Sequence, residues 1–195
     1  MPGQEGLMKR KSLVEYEDAT PGVRGIYDDI IQTIGSPTVL NVFKALGNNE
    51  NVLRAVWSMV KLAHVQGEVP ALLKELILFR ISVEAGNRYC ESLHGHAALN
   101  LDPSLTYDDL VALSEGKARG KLPTSFQAAI DIVSRAALQP KKVGDPDFDF
   151  EEQLRDEGFS ESEIDELLAQ GYFGVMMNML TDAYDVPRDQ TFPPK

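Results

Sequence analysis

Glu75, Cys90 and His94 are the residues whose types and spacing could do chemistry in this chain. Cys90 and His94 are four residues apart, which stacks them on one face of a helix and lets the imidazole accept the thiol proton. With Asn87 as N-cap, Cys90 takes the third helical position. Exposed N–H groups and the helix dipole there favour a thiolate and lower a thiol pKa that is otherwise about 8.5. That is the pattern of an activated nucleophile. A lone cysteine near a helix start also suits plain packing, because cysteine behaves as a small hydrophobe. Glu75 shares its helix face with Leu72, Leu76, Phe79 and Val83, so its carboxylate points into an apolar stripe and needs a partner. His94 is one candidate. Arg54 and Arg80 are the alternatives, and with either of them Glu75 would be architecture only.

The remaining reactive side chains read more plainly. His96 follows His94 by two residues, about 200° around a helix, so the two do not form a same-face metal pair and His96 is expected at the surface or an interface. His64 lies near the apolar stripe of its own helix and reads as a satisfied, partly buried histidine. Three histidines on different faces with no cysteine cluster make no metal motif, and no nucleotide or phosphate fingerprint is present; no metal and no cofactor is expected. Phe173, Met176, Met177 and Met179 crowd one helix and suit core or subunit packing, or a pocket wall. Glu91 and Ser92 are expected as solvated first-turn residues. No role is assigned to Asn178.

Nineteen Lys and Arg against thirty Asp and Glu give a net charge of −11. That charge repels a phosphate backbone and an anionic membrane surface, so neither nucleic acid nor lipid is an expected partner. Lys9, Arg10 and Lys11 are followed by no apolar run, and no segment reaches the roughly 20 apolar residues of a bilayer span. A single cysteine forms no internal disulfide and fits a reducing, cytoplasmic compartment.

The elements that must position these residues are helical. Thr20 with Pro21 and Ser36 with Pro37 predict helices over 21–34 and 37–46. The spacing of Val52, Val56, Met59, Val60 and Ala63 predicts a helix over 49–66, ended by Gly67. Pro70 opens a helix over 70–85 that is apolar on most sides and therefore central. Gly86 breaks it, and Asn87 caps the next over 88–100. Thr106 with Asp109 and Ser160 with Glu163 have capping-box spacing and start helices over 107–115 and 161–185. Another helix covers 123–138. The Pro-, Gly- and charge-rich stretch near 140–149 reads as an internal linker. No strand pattern appears, so the expected fold is all-α: an N-terminal segment 1–19, a single domain 20–186 and a C-terminal tail 187–195.

Glu75, Cys90 and His94, with Tyr89 just before the cysteine, resemble the motif of the alkylhydroperoxidase D and carboxymuconolactone decarboxylase superfamily. Its redox members carry Glu, eleven residues, Cys, two residues, Cys, three residues, His; here the first cysteine position is Asn87. The likeness extends to TPGVRGIYDDIIQTIGSPTVLNVFKALGNNENVLRAVW and GFSESEIDELLAQGYFGVMMNMLTDAYDVPRDQ, which are similar to the lead-in helices and to the tail of the peroxidase-related subgroup. The resemblance implies an AhpD-like helical fold, a homo-oligomer, and a central helical hairpin carrying the site.

It also implies a role for each residue. Cys90 would attack a hydroperoxide, His94 would hold it as thiolate and Glu75 would orient His94, with Asn87 and Tyr89 beside the substrate. Asn87 cannot resolve a sulfenic acid, so an external thiol, or a cysteine from a partner, would have to reduce it. The superfamily's decarboxylase branch, which lacks the cysteine pair and keeps a histidine, implies acid–base chemistry on a small organic acid or lactone instead. A binding protein without turnover is the third reading.

Overall fold

The computed structural model describes residues 10–117, 120–139 and 149–189. Among them are α1 (Pro21–Ile34), α2 (Asn41–Leu46), α3 (Glu50–Met59), a π-helical turn (Val60–Val65), α4 (Ala71–Ala85), α5 (Arg88–Leu101), α6 (Tyr107–Ser114), α7 (Thr124–Leu138), α8 (Phe150–Asp156) and α9 (Glu161–Ala183), and no strand. The fold is all-α, as the sequence predicts.

Local chemistry sets most of the boundaries. Thr20 caps α1 by accepting from Val23 N–H at 3.3 Å, and Asn49 caps α3 through Asn51 and Val52 N–H. Thr106 with Asp109 and Ser160 with Glu163 form complete capping boxes. Gly86 ends α4 at φ 70°, a left-handed conformation that glycine adopts without a Cβ penalty.

Three local expectations need correction. Ser36 does not start a helix. Its hydroxyl donates to Thr38 O at 2.7 Å, a local turn, and α2 begins only at Asn41. The buried side of α3 is Leu53, Val56 and Trp57, whereas Val52 and Met59 are exposed, and the helix widens into the π-helical turn after Met59. Asp149 is not linker but the cap of α8, which the sequence reading did not foresee; residues 140–148 of the expected linker lie outside the described residues.

α4 is the central helix, packed against α5, α6, α7 and α9. It divides its side chains between two cores. Leu78 joins α1–α3 and the C-terminal part of α9, while Leu73, Leu76, Ile77, Phe79 and Ile81 join α6–α8 and the N-terminal part of α9. Each such side chain, fully removed from water, contributes about 1.5–3 kcal/mol. Close approach of α9 to α4 depends on Gly174, where a Cβ would meet Leu78 Cδ2 at 2.6 Å.

The described parts of the expected terminal segments are bound to this body. Lys11 N–H donates to Tyr184 O and Val14 N–H to Lys44 O, each at 3.0 Å. Asn41 Nδ2 donates to Pro187 O and Asn41 N–H to Asp189 Oδ1, which straps residues 187–189 across the start of α2. No helix among the described residues is long and apolar enough to cross a membrane.

Candidate active site

The seam between the two cores is polar. Glu75, on α4, sends one carboxylate oxygen to each of two imidazoles. Oε2 lies 2.7 Å from Nδ1 of His94 on α5, and Oε1 lies 3.0 Å from Nε2 of His64 in the π-helical turn. The two rings stand edge-to-face with centroids 5.8 Å apart, and Phe173 stacks on His64. Gln170 Nε2, on α9, reaches Nδ1 of His64 at 3.2 Å. The result is a chain Gln170–His64–Glu75–His94. Burial alone would raise the Glu75 pKa; the charges of His64 and His94 and their hydrogen bonds outweigh it and bring the carboxyl to about 2.

Neither arginine partner considered from the sequence is used. Arg54 pairs with Glu50, and Arg80 with Glu84 and Leu113 O.

His64 is held by a second buried group. Lys74, 2% exposed, donates to Gln66 O at 2.6 Å and His64 O at 3.2 Å, and pairs with Glu166. Glu166 in turn accepts from Glu68 and Val69 N–H. Gly67, at φ 112°, must be glycine, since a Cβ would also run into the Glu166 carboxylate. One ion pair thus satisfies the carbonyls at the end of the π-helical turn and fixes the loop into α4. π-helical turns occur often at functional sites.

The relay borders a cavity of about 530 Å³. Phe43, Val60, Leu93, Phe173 and Met177 supply much of an apolar wall, with Tyr89, Cys90 and His96 beside His94. No Lys or Arg lines it among the described residues. Since Nδ1 of His94 is held by Glu75, Nε2 is the nitrogen left for a ligand.

Cys90 departs from the expectation. Its thiol is 3% exposed and lies 3.6 Å from Thr181 Oγ1 on α9, while His94 is engaged by Glu75. Burial pushes the thiol up to about 12; the Thr181 bond opposes this and the Asp182 charge adds to it. The helix N-terminus does not make a thiolate here, because desolvation and an anion from α9 outweigh it.

Asn87 does cap α5, accepting from Cys90 N–H at 2.7 Å, but its amide is spent on Asn178 O, Thr181 Oγ1 and Asp182 Oδ1, which ties α5 to α9. It is buried and does not line the cavity. Tyr89 does line it, with its hydroxyl donating to Asp189 at 2.6 Å and accepting from Val42 N–H.

Other expectations shift in smaller ways. His96 is half-buried on the cavity wall, with Nδ1 lacking a partner among the described residues. Ser92 is buried, not solvated. Phe173 and Met177 belong to the core, whereas Met179 is 68% exposed.

The separation of the histidines is also corrected: donor atoms of His64, Glu75 and His94 all lie within 4.8 Å of one another, close enough to hold a metal ion. The sequence reading missed Lys74, Gln170 and Thr181 altogether. It placed His64 only as a packed residue.

No protein-family model and no curated protein matches the chain. Solved structures do. The alkylhydroperoxidase AhpD core of an uncharacterized peroxidase-related protein from Ralstonia eutropha JMP134 superposes with a TM-score of 0.73 at 19% identity, covering 94% of this chain and 93% of that one. The debrominase Bmp8, also solved as a cysteine-to-alanine variant in complex with 2,3,4-tribromopyrrole, gives 0.72 at 19%, covering 96% and 94%. An uncharacterized peroxidase-related protein from Silicibacter sp. TM1040 gives 0.67 at 21%, covering 95% of each chain. The neighbours thus agree over almost the whole length, and their names span more than one activity. The chain has the AhpD-like fold.

Proposed function

We propose that the protein is an acid–base enzyme in which His94 is the general base and acid, acting on an uncharged, largely apolar small molecule. The observation that carries this reading is the carboxylate of Glu75 held between two imidazoles, with Nε2 of His94 left for the cavity. Nε2 takes a proton from a carbon beside a carbonyl. The imidazolium formed is stabilised by Glu75 through Nδ1–H, and the proton is returned at a neighbouring atom, so the product is an isomer. His64 occupies the other carboxylate oxygen and keeps Glu75 from turning.

Substrate charge follows from the cavity wall. A carboxylate buried there would meet no lysine or arginine among the described residues, and of the lining histidines His64 and His94 are already engaged by the negative Glu75; an unpaired buried ion costs several kcal/mol. A ketone or lactone therefore fits better than the organic acid considered from the sequence. The lone thiol suits a reducing, cytoplasmic setting. Exposed Ile34, Val65 and Leu101 on the cavity lining give a second copy an apolar face to cover in a homo-oligomer.

The test is isomerisation of a β,γ-unsaturated cyclic ketone to its conjugated form, followed by ultraviolet absorbance with chelator present. His94→Ala and Glu75→Gln should each lower the rate about 10²–10⁴-fold, and Cys90→Ser should leave it within about threefold of wild type. Retention of the rate by His94→Ala would sink the proposal.

Cys90 lines the same cavity as His94, and that favours a second reading, thiol-dependent hydroperoxide reduction. Cys90 would attack the peroxide oxygen, giving a sulfenic acid and an alcohol whose proton comes from His94, and two equivalents of an external thiol would return the sulfenic acid to thiol with release of water and a disulfide. Cys90→Ser abolishes this activity and spares the first.

A further inference from the structure

We infer that His64, Glu75 and His94 form a binding site for one divalent transition-metal ion, of the zinc or iron(II) class. Four observations converge on it. The donors are two imidazole nitrogens and a carboxylate brought from three elements, within 4.8 Å of one another. The pairs Nε2–Oε1 and Nδ1–Oε2 are 3.0 and 2.7 Å apart. Neighbouring ligand atoms around an ion with bonds of about 2.0–2.2 Å stand roughly 2.8–3.5 Å apart, so each nitrogen–oxygen pair already has ligand spacing, and the three donors, which as a set lie within 4.8 Å, draw together by about an ångström to share one cation.

The charge is right as well. Glu75 is a buried carboxylate with no lysine or arginine against it among the described residues: Lys74 faces Glu166 and backbone carbonyls, and Arg54 and Arg80 are paired elsewhere. Buried anions of this kind are paired or bind metals.

The outer contact of His64 provides the third observation. Gln170 presents Nε2 to Nδ1 of His64, while its own Oε1 is buried without a partner among the described residues. A metal on Nε2 places the ring proton on Nδ1. Turning the Gln170 amide by half a rotation then gives that proton the orphaned oxygen as acceptor, the second-shell arrangement that orients metal-bound histidines.

Finally, two histidines and one carboxylate leave coordination positions open, and the cavity beside them has room for water or a small ligand.

The site goes beyond the acid–base reading and does not rest on it. With Nδ1 of His94 on the metal, the remaining ring proton sits on Nε2, and the nitrogen left for the cavity changes from acceptor to donor. Metal and relay are thus alternative occupants of the same three side chains, and a bound ion silences the base.

The experiment uses the untagged, full-length chain, stripped with chelator and checked for native helicity by circular dichroism. Zn²⁺ is titrated calorimetrically in buffers of different ionisation enthalpy, and Co²⁺ by visible absorption. One saturable equivalent is expected, with proton release and with cobalt bands free of sulfur charge transfer. His64→Ala and Glu75→Gln should lose at least a hundredfold in affinity, Gln170→Ala about 10–100-fold, and Cys90→Ser nothing. Gln170→Ala keeps all three donors and serves where a ligand variant fails to fold.

Absence of saturable binding, equal affinity in folded His64→Ala or Glu75→Gln, full affinity in Gln170→Ala where those two do not fold, or charge transfer lost in Cys90→Ser would each overturn the site. Because the readout is binding alone, its failure is distinct from failure of the isomerase reading, which is measured in metal-free protein.

Discussion

Cys90 is predicted to be an unreactive thiol, although it stands one helical turn before a histidine. The perturbation is pH, and the assay is alkylation by iodoacetamide followed by mass spectrometry of the intact chain, in which Cys90 is the one cysteine. A thiol at its ordinary value of 9.0 is about one-tenth ionised at pH 8, whereas one held near 12 is ionised to about one part in ten thousand. Since the thiolate is the reacting form, the rate should fall roughly a thousandfold below that of a free thiol, and exclusion of the reagent slows it further.

Variants separate the causes. Asp182→Asn removes the anion that raises the thiol and should speed alkylation severalfold; Thr181→Val removes the opposing bond and should slow it. His94→Ala should change little, because Glu75 holds that ring. The same shift acts on stability. The unfolded chain loses the thiol proton first, so this contribution is intact below pH 9 and declines by about 1.4 kcal/mol per pH unit as pH rises toward 12. An apparent pKa below about 8.5 that rises in His94→Ala would overturn the buried, unreactive thiol and restore Cys90 as nucleophile.

Lys74→Met should cost about 3–5 kcal/mol in denaturant unfolding, because it strands Glu166 and three carbonyls; adding Glu166→Gln should recover part of the loss, and simple additivity would argue against the pair as the unit. Asn87→Asp keeps the oxygen that caps Cys90 N–H but loses the amide that binds Asn178 O and Thr181, and faces Asp182 with a second carboxylate. It should destabilise by about 2–4 kcal/mol at neutral pH, less once the carboxylates are protonated, and a change under about 0.5 kcal/mol would count against Asn87 as the tie between α5 and α9.

Signals that act within a turn of helix were readable from the letters. Thr20, Asn87, Thr106 and Ser160 cap the helices assigned to them because cap chemistry needs only three or four consecutive residues. Glu75 was legible as a buried acid for the same reason. The local rule is not exclusive, however. Ser36 before Pro37 has the composition of a helix start, and the hydroxyl closes a turn on Thr38 instead.

What stayed hidden depends on partners far along the chain. Gln170 meets His64 across 106 residues and Thr181 meets Cys90 across 91, and no periodicity encodes either contact. The dipole at the start of α5 could be read; the burial and the Asp182 charge that defeat it come from α9. His64 fell on an apolar stripe and was read as packing, since nothing in its own helix reveals that α4 brings an acid to it.

The strap of residues 187–189 sets an order of assembly. Its bonds join Tyr89 to Asp189 and Asn41 to Pro187 and Asp189, across 100, 146 and 148 residues. On the ribosome, the hairpin of α4 and α5 can pair as soon as both have emerged, since their contacts are local, whereas α2, which can already pack on α3, gains its strap only when residue 189 has been made. A chain stalled or clipped before that point carries the acid and both imidazoles but lacks the finished wall behind Tyr89. Reactive groups and enclosure are therefore completed at different times, and the enclosure comes last.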